Sequence, residues 1–401
     1  MDAGARVEIY NALRAAADSG MAVVIVSSDG VELEGLCDRV LVFSRGSVVS
    51  ELAGPDVTEE AITGAAVTAT TLREDSEVAR SSGWFNRFAA GDYLPAGVLV
   101  LLGALLAVLL AVRSDGAFSE FNIQSVLLLA AALGFASLGQ MLTLMLGGID
   151  LSVGPLMGLG LVMCSFVLET ADSGSVLKAV ALVFAVGIAV GVVNATFIAF
   201  VGVTPVVATL ITYISLQGVS LALRPSPDGL IDYAFVDGIQ SNLGFVPVAF
   251  LVLVVVVLGA DLVLRLTSWG IGFRAIGSDA DLAERVGASR IRATYAAYVG
   301  CSLFAAGASL LLAAQIGVGD ATSGVGYTLT SITAVVLGGV SVFGGRGAFI
   351  PVLLAVVLLQ QMINATTFLG LGQSWQYAIV GIVVLAGAGS YSLLRDRVAP
   401  R

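Results

Sequence analysis

Two hydrophobic patterns divide this 401-residue chain. From residue 94 onward, long apolar runs alternate with short polar breaks. Runs of roughly 17–25 apolar residues predict helices that cross a bilayer. Ten are read: Leu94–Val112, Ser125–Leu146, Leu151–Leu168, Val176–Val201, Val206–Leu223, Phe245–Leu266, Ala293–Ala314, Leu329–Phe343, Ala348–Phe368 and Trp375–Leu394. The eighth is short, and the third and fifth are marginal in length. Residues 1–67 read differently. Arg6–Ala17 places Val7, Tyr10, Leu13 and Ala17 on one helical face. Met21–Val26 is a continuous apolar strand, Val31–Leu36 a short helix, and Arg39–Phe43 with Ser47–Leu52 a hairpin turning at Arg45-Gly46. Thr58–Val67 closes this part as a helix, and residues 68–92 form a polar linker. The predicted fold class is therefore an α-helical polytopic membrane protein of about ten transmembrane helices with glycine-broken spans. A small, incomplete α/β soluble fragment precedes it, and its sheet edges should be exposed.

Composition supports this division. The chain is 57% hydrophobic and 12% charged, with mean hydropathy +0.97. Soluble domains carry about 25% charged residues, so a soluble enzyme and a disordered chain are both excluded. A net charge of −10 leaves no basic footprint for nucleic acid. There is no His, and Cys37, Cys164 and Cys301 are far apart. This removes His-based triads and His/Cys metal sites, and leaves Cys164 and Cys301 as small apolar-run residues. No cleavable signal peptide is visible at the polar start.

Residues 1–80 carry 14 acids against 6 Arg, a balance of −8, which leaves −2 for the rest. With ten spans and a cytoplasmic N-terminus, eleven Arg fall inside: Arg80, Arg87, Arg265, Arg274, Arg285, Arg290, Arg292, Arg346, Arg395, Arg397 and Arg401. Only Arg113, Arg224 and Lys178 fall outside. This bias puts both termini in the cytoplasm.

An internal echo links LGGIDLSVG (146–154) and LGGVSVFGG (337–345). Each ends a hydrophobic run with a glycine pair, and glycine-interrupted spans in two halves point to broken helices along a transport path. Glycine-mediated helix packing is the plainer alternative. A weaker echo, VNAT (193–196) and INAT (363–366), falls on opposite membrane faces and is not read as a repeat.

Polar groups inside spans are costly and draw attention. Asp150 needs a partner or a cavity, and either Asp150 or Ser152 is placed to cap the third span. Asp261 lies four residues before Arg265 and reads as an i,i+4 pair. Gln140, Asn194, Gln360 and Asn364, with Thr204 before Pro205, are the candidate pathway residues beside Asp150 and Ser152. Amides bind hydroxyl-rich solutes, but they also join helices. The scarcity of intramembrane carboxylates argues against a proton-driven pump.

The longest inside loop, Thr267–Ile291, contains Ser278-Asp279-Ala280-Asp281 at capping-box spacing, and Gly287 supplies a stop. A helix of about two turns follows, with Leu282 and Val286 on one face and Asp279, Glu284 and Arg285 elsewhere. So short a helix is unstable alone in water, and it gains stability either by docking in a partner's groove or by lying on the chain's own spans.

These residues carry a family resemblance. GGIDLSVG (147–154), GVVNATFIAFVGVTPVVATLIT (191–212), GIGFRAIGSDADLAERVGASRIR (270–292), YTLTSITAVVLGGVSVFGGRG (327–347) and WQYAIVGIVVL (375–385) resemble, in order, the permease subunit of ribose/xylose-type sugar ABC importers. The resemblance implies a bacterial cytoplasmic-membrane permease dimer, embedded in lipid, that imports a monosaccharide delivered by an extracytoplasmic binding protein. It implies an ABC ATPase partner that uses ATP and Mg, with no cofactor held by this chain and no enzyme activity of its own. Ser278, Asp279, Ala280, Leu282, Ala283, Glu284, Val286 and Gly287 would form the segment that docks on that ATPase.

Residues 2–29 and 37–52 resemble the last part of the family's ATPase subunit. Yet no Gly-Lys step exists, since Leu177 precedes the single Lys178, so the phosphate-binding loop is missing. The resemblance thus implies either a truncated fused ATPase–permease chain or a permease that keeps a remnant of an ATPase. Competing readings are a related permease for branched-chain amino acids or nucleosides, a secondary transporter with a regulatory domain, and a tethered sensor.

Overall fold

A computed structural model describes residues 3–44, 47–66, 93–113 and 116–372, with short stretches between 374 and 382. The chain divides into two compact units, Met1–Arg87 and Phe88–Arg401.

The first unit is small. Helix α1 (Ala3–Asp18) precedes α2 (Gly30–Leu36), whose N-terminus is capped by Asp29 Oδ1. Strands β1 (Arg39–Ser44) and β2 (Ser47–Ala53) pair antiparallel with an irregularity after Val42. Helix α3 (59–66) follows, and Thr58 Oγ1 accepts the Ala61 N–H at 3.2 Å. Leu33, Val40, Val42, Val57 and Ile62 form its core. The expected strand at Met21–Val26 does not form. That stretch has no ladder partner among the described residues, and Val24 and Val26 are 89% and 97% exposed. Apolar runs become strands only where another edge supplies hydrogen bonds, and among the described residues β1 and β2 pair with each other alone. The Arg45-Gly46 turn and the linker lie outside the described residues.

The second unit is helical. Its elements are α4 (Leu94–Arg113), α5 (Glu120–Leu144), α6 (Val153–Val167), α7 (Ser173–Thr196, extended by a π turn to Val201) and α8 (Pro205–Leu223). After β3 (Asp228–Leu230) come α9 (Tyr233–Ile239), α10 (Val248–Leu266), α11 (Ser268–Ser278), α12 (Ala280–Arg285) and α13 (Arg290–Ile316). Strand β4 (Val318–Gly319), α14 (Gly326–Leu337) and α15 (Phe349–Phe368) complete it. Seven helices among the described residues are long and apolar enough to cross a membrane, while α6 and α14 are apolar but shorter. These account for the first nine sequence segments. Most of the tenth lies outside the described residues.

Helix α13 is central and packs along α5, α7 and α6. It runs antiparallel to α5: Phe304 meets Phe135, and Gln315 Nε2 donates to Leu128 O at 2.9 Å. This orientation defines two ends of the bundle. One, here the loop end, carries α11, α12 and the two glycine-rich segments. The other, the strand end, carries the β3–β4 pair and α9. At the strand end, Asp232 ties two connections together, accepting the Ala171 and Ala234 N–H groups at 2.9 and 2.8 Å.

Buried Asp261 binds three elements at the loop end. Its Oδ1 accepts the Phe349 N–H at 2.9 Å, and its Oδ2 accepts Arg265 Nε at 2.9 Å and the Tyr93 hydroxyl. The guanidinium of Arg265 lies 4.0 Å from the Tyr93 ring centre. The i,i+4 pair is present, but it is one part of a clamp joining the start of α4, the end of α10 and the start of α15.

Candidate functional site

Helix α5 ends at Leu144, and Gly147, at φ +73, reverses the chain. Residues 148–152 then run back along α5 without helical bonding. Buried backbone groups need partners away from water, and here side chains from neighbouring helices supply them. The Gln140 amide, oriented by its surroundings, donates to Asp150 O at 3.0 Å and accepts the Asp150 N–H at 3.1 Å. Thr209 Oγ1 donates to Ile149 O at 3.2 Å, and Thr328 Oγ1 donates to Leu151 O at 3.3 Å. Asp150 Oδ1 accepts the Ser152 N–H at 2.9 Å and its hydroxyl at 2.6 Å.

The network continues outward. Asn194 Nδ2 donates to Ser152 Oγ at 3.1 Å, and Thr212 Oγ1 donates to Asn194 Oδ1 at 2.8 Å. Asp150, Ser152, Asn194 and Thr212 are all buried. Asp150 Oδ2 and the Tyr298 hydroxyl have no hydrogen-bond partner among the described residues.

Because part of the span is unwound, α6 has only 15 residues. At about 1.5 Å per residue it is shorter than a hydrocarbon core of about 30 Å. Helix α14 has 12 residues and is preceded by its own irregular segment, 320–325. Gln217 Nε2 donates to Ala321 O in that segment at 3.1 Å. The two half-helices run in opposite directions: α6 goes from mid-bundle to the strand end, and α14 from mid-bundle to the loop end. Their N-termini meet, with Thr328 Oγ1 accepting the Gly154 N–H at 3.0 Å. The approach requires glycine, since a Cβ at Gly324 would sit 2.3 Å from Gly154 O. The positive ends of both helix dipoles thus meet at the Gly154–Thr328 contact.

This geometry corrects the capping expectation. Ser152 occupies the N-cap position of α6, but its side chain does not cap, and Asp150 bonds Ser152 rather than the first turn of the helix. Thr328 caps it from another helix. Of the pathway candidates, the structure gathers Gln140, Asp150, Ser152 and Asn194. Thr204 is exposed before Pro205 and makes no cap bond. Gln360 and Asn364 lie on α15, which packs chiefly on α5, α4, α14 and α10, apart from this network. Sequence reasoning missed Thr209, Thr212, Gln217, Tyr298 and Thr328. Only hydroxyls recurring inside apolar helices could have signalled the three threonines.

At the loop end, α12 is present with Gly287 stopping it at φ +91. Its cap is Asp279, whose Oδ1 accepts the Leu282 N–H at 3.0 Å. Ser278 instead ends α11, an 11-residue helix the sequence reading missed, and donates to Arg274 O at 3.1 Å. Ala283 is buried, while Ala280 is half-buried and Glu284 exposed. Leu282 and Val286 are exposed at 58% and 84%, as are Trp269 and Ile271 of α11.

A family model described as "Branched-chain amino acid transport system / permease component" matches residues 122–388. The chain belongs to this permease family. Permeases of this family are transport components rather than enzymes, and this one is a multi-pass membrane protein. The chain is 31% identical to a probable ABC transporter permease of Sinorhizobium fredii over 293 residues, covering 72% of this chain and 86% of that one. It is 30% identical to the ribose import permease of Escherichia coli over 294 residues, covering 72% and 90%. It is also 28% identical to the fructose import permease of Rhizobium meliloti over 302 residues, covering 73% and 83%. No solved structure matches. Within the permease family fold, the matched region takes in both half-helices, the network and α12.

Proposed function

We propose that this chain is the membrane-spanning subunit of an ATP-driven importer that moves a monosaccharide or similar polyol into the cytoplasm. The carrying observation is likeness along most of the chain to permeases named for ribose, galactose and fructose import. The polar chemistry agrees: hydroxyls and the amides of Gln140 and Asn194 dominate the network, and no charged pair suited to a zwitterionic amino acid lies within it. A second permease copy completes the path, and lipid surrounds it.

The loop end is the cytoplasmic end. It holds Arg265, Arg274, Arg285, Arg290, Arg292 and Arg346, whereas the strand end holds Arg113, Arg224 and Lys178. An ABC ATPase, which binds the ATP and Mg, docks on α12 through Leu282 and Val286. A binding protein delivers sugar at the strand end. Residues 1–66 are the closing piece of an ATPase fold. Support comes from the β1–β2 hairpin, the small core and the apolar stretch 21–26 that has no sheet neighbour among the described residues.

The test is purification of the tagged full chain from native membranes, with intact mass, copurifying chains and uptake of labelled ribose, galactose and fructose. A copurifying or fused ATPase and uptake of one of these sugars are expected. Absence of any ATPase would overturn the importer reading. Uptake of leucine but none of the sugars would overturn the sugar assignment alone.

A further inference from the structure

At the junction of α11 and α12, Gly277 packs directly against the backbone of both glycine-rich segments, with Arg274 and Ser278 adding side-chain contacts. The Gly345 N–H donates to Met145 O at 2.8 Å, joining the turn that ends α5 to the loop that follows α14. Gly277, near the end of α11, is wedged against both: a Cβ there would lie 1.9 Å from Met145 O and 2.7 Å from Gly345 N. A Cβ on Gly345, itself at φ +76, would strike Ser278 Oγ at 2.2 Å. Arg274 Nη2 adds a bond to Gly347 O at 2.7 Å. Asp279, the cap of α12, follows Ser278 directly.

Contacts of this kind are stiff. At Gly277 no rotamer change can absorb a displacement, because backbone meets backbone with no side chain between. From Met145 the chain leads through the unwound segment to the N-terminus of α6. From Gly345 it leads back through residues 338–344 to α14. Any shift of α11 and α12 therefore reaches both half-helices at once, and their shared Thr328–Gly154 contact from two sides.

We infer that the Met145–Gly277–Gly345 junction is the point where movement of the cytoplasmic helices passes to both broken helices. Gly277 and Gly345 are thus positioning residues for transport. This rests on the importer reading, and the test separates the two. The whole complex is purified with its ATPase from cells carrying wild type, Gly277→Ala or the control Gly272→Ala, whose added Cβ would meet only Ala288 Cβ at 3.9 Å. Each strain is also assayed for uptake of labelled ribose, galactose and fructose. For Gly277→Ala the ATPase should still copurify and hydrolyse ATP, because Leu282 and Val286 are untouched. Uptake should fall about tenfold, within the range of site-to-site coupling energies, with KM unchanged. Gly272→Ala should match wild type.

Normal uptake by Gly277→Ala would overturn the inference, as would loss of the copurified ATPase, which would make the junction a support for docking only. If wild type itself binds no ATPase, the importer reading fails instead. A second arm leaves the glycines intact. Phe343→Cys, in a Cys37→Ser background, is labelled with maleimide in the complex with and without a non-hydrolysable ATP analogue. Phe343 is 91% exposed beside the junction. A rate change of about threefold or more is expected for a population shift at this loop, and equal rates would overturn the inference.

Discussion

The hydroxyl of Thr328 caps a helix to which it does not belong, accepting the Gly154 N–H at 3.0 Å across 174 positions of sequence. The same hydroxyl donates to Leu151 O at 3.3 Å. One side chain of α14 thereby satisfies both a donor at the start of α6 and a carbonyl of the unwound segment before it. Two half-helices of opposite direction are held at mid-bundle by this residue.

Thr328→Ala should lower stability by about 1–2 kcal/mol, the cost of a lost cap with a buried N–H left unmade. Thr328→Ser keeps the hydroxyl and should stay close to wild type. Thermal unfolding of the purified protein in lipid nanodiscs checks both. Equal melting of Ala and Ser variants would show the bond to be dispensable.

Asp150 accepts two bonds from Ser152 through one oxygen. Asp150→Asn keeps an acceptor and should preserve most uptake. Asp150→Ala leaves the buried Ser152 N–H unpaired and should cost about 1–3 kcal/mol. Uptake and melting measured together decide this. Loss of uptake in Asn with unchanged melting would instead assign the charge a direct part in transport.

Leu282→Asp and Val286→Asp alter exposed side chains, so the fold should survive. If the proposed docking of the ATPase on this face is right, each added charge should abolish copurification of the ATPase and, with it, uptake. Size-exclusion elution and subunit ratio are the measurements.

Removing the Asp261 carboxylate by Asp261→Ala strips the acceptor from Arg265, Tyr93 and the Phe349 N–H. Breaking a buried pair costs about 3–5 kcal/mol, reduced here because Arg265 is 30% exposed. Expression in the membrane should drop and melting should shift well below that of Asp261→Asn.

The Ala171 N–H, and then the Ala234 N–H, hold the Asp232 carboxyl below the usual carboxylate range. A depressed folded value means that its contribution is present above the unfolded value near about 3.9 and is lost as pH falls through the lower folded value. Melting of wild type should therefore decline below about pH 4. Asp232→Asn, which keeps an acceptor without titrating, should decline less steeply over the same range.

Much of this molecule is legible along the chain. Hydrophobic run length, set by bilayer thickness, locates the seven membrane-length helices and the shorter α6 and α14, though the predicted end of α14 overshoots Leu337 to Phe343. The short run Leu329–Phe343 already sets α14 apart, whereas Leu151–Leu168 and Val206–Leu223 are equally long and only the first becomes a half-helix. Gly287 marks the end of α12 because few other residues accept positive φ there. Local rules failed where the partner is distant. Asp150 and Ser152 satisfy the composition of a cap, yet the cap comes from Thr328, since an unwound buried segment takes whichever acceptor packing brings to it. Ser278 fits a capping box, but α11 extends through it and passes the role to Asp279. Met21–Val26 has strand composition without a strand's neighbour. The two LGG segments read as a repeat, yet one leads from a long helix into a half-helix and the other from a half-helix into a long one. Sequence alone determined which apolar runs become helices and where Gly287 stops α12, because hydrophobic run length and backbone conformation act locally. Tertiary structure alone decided who satisfies whom, because hydrogen bonds among the unwound segments join groups up to 177 positions apart.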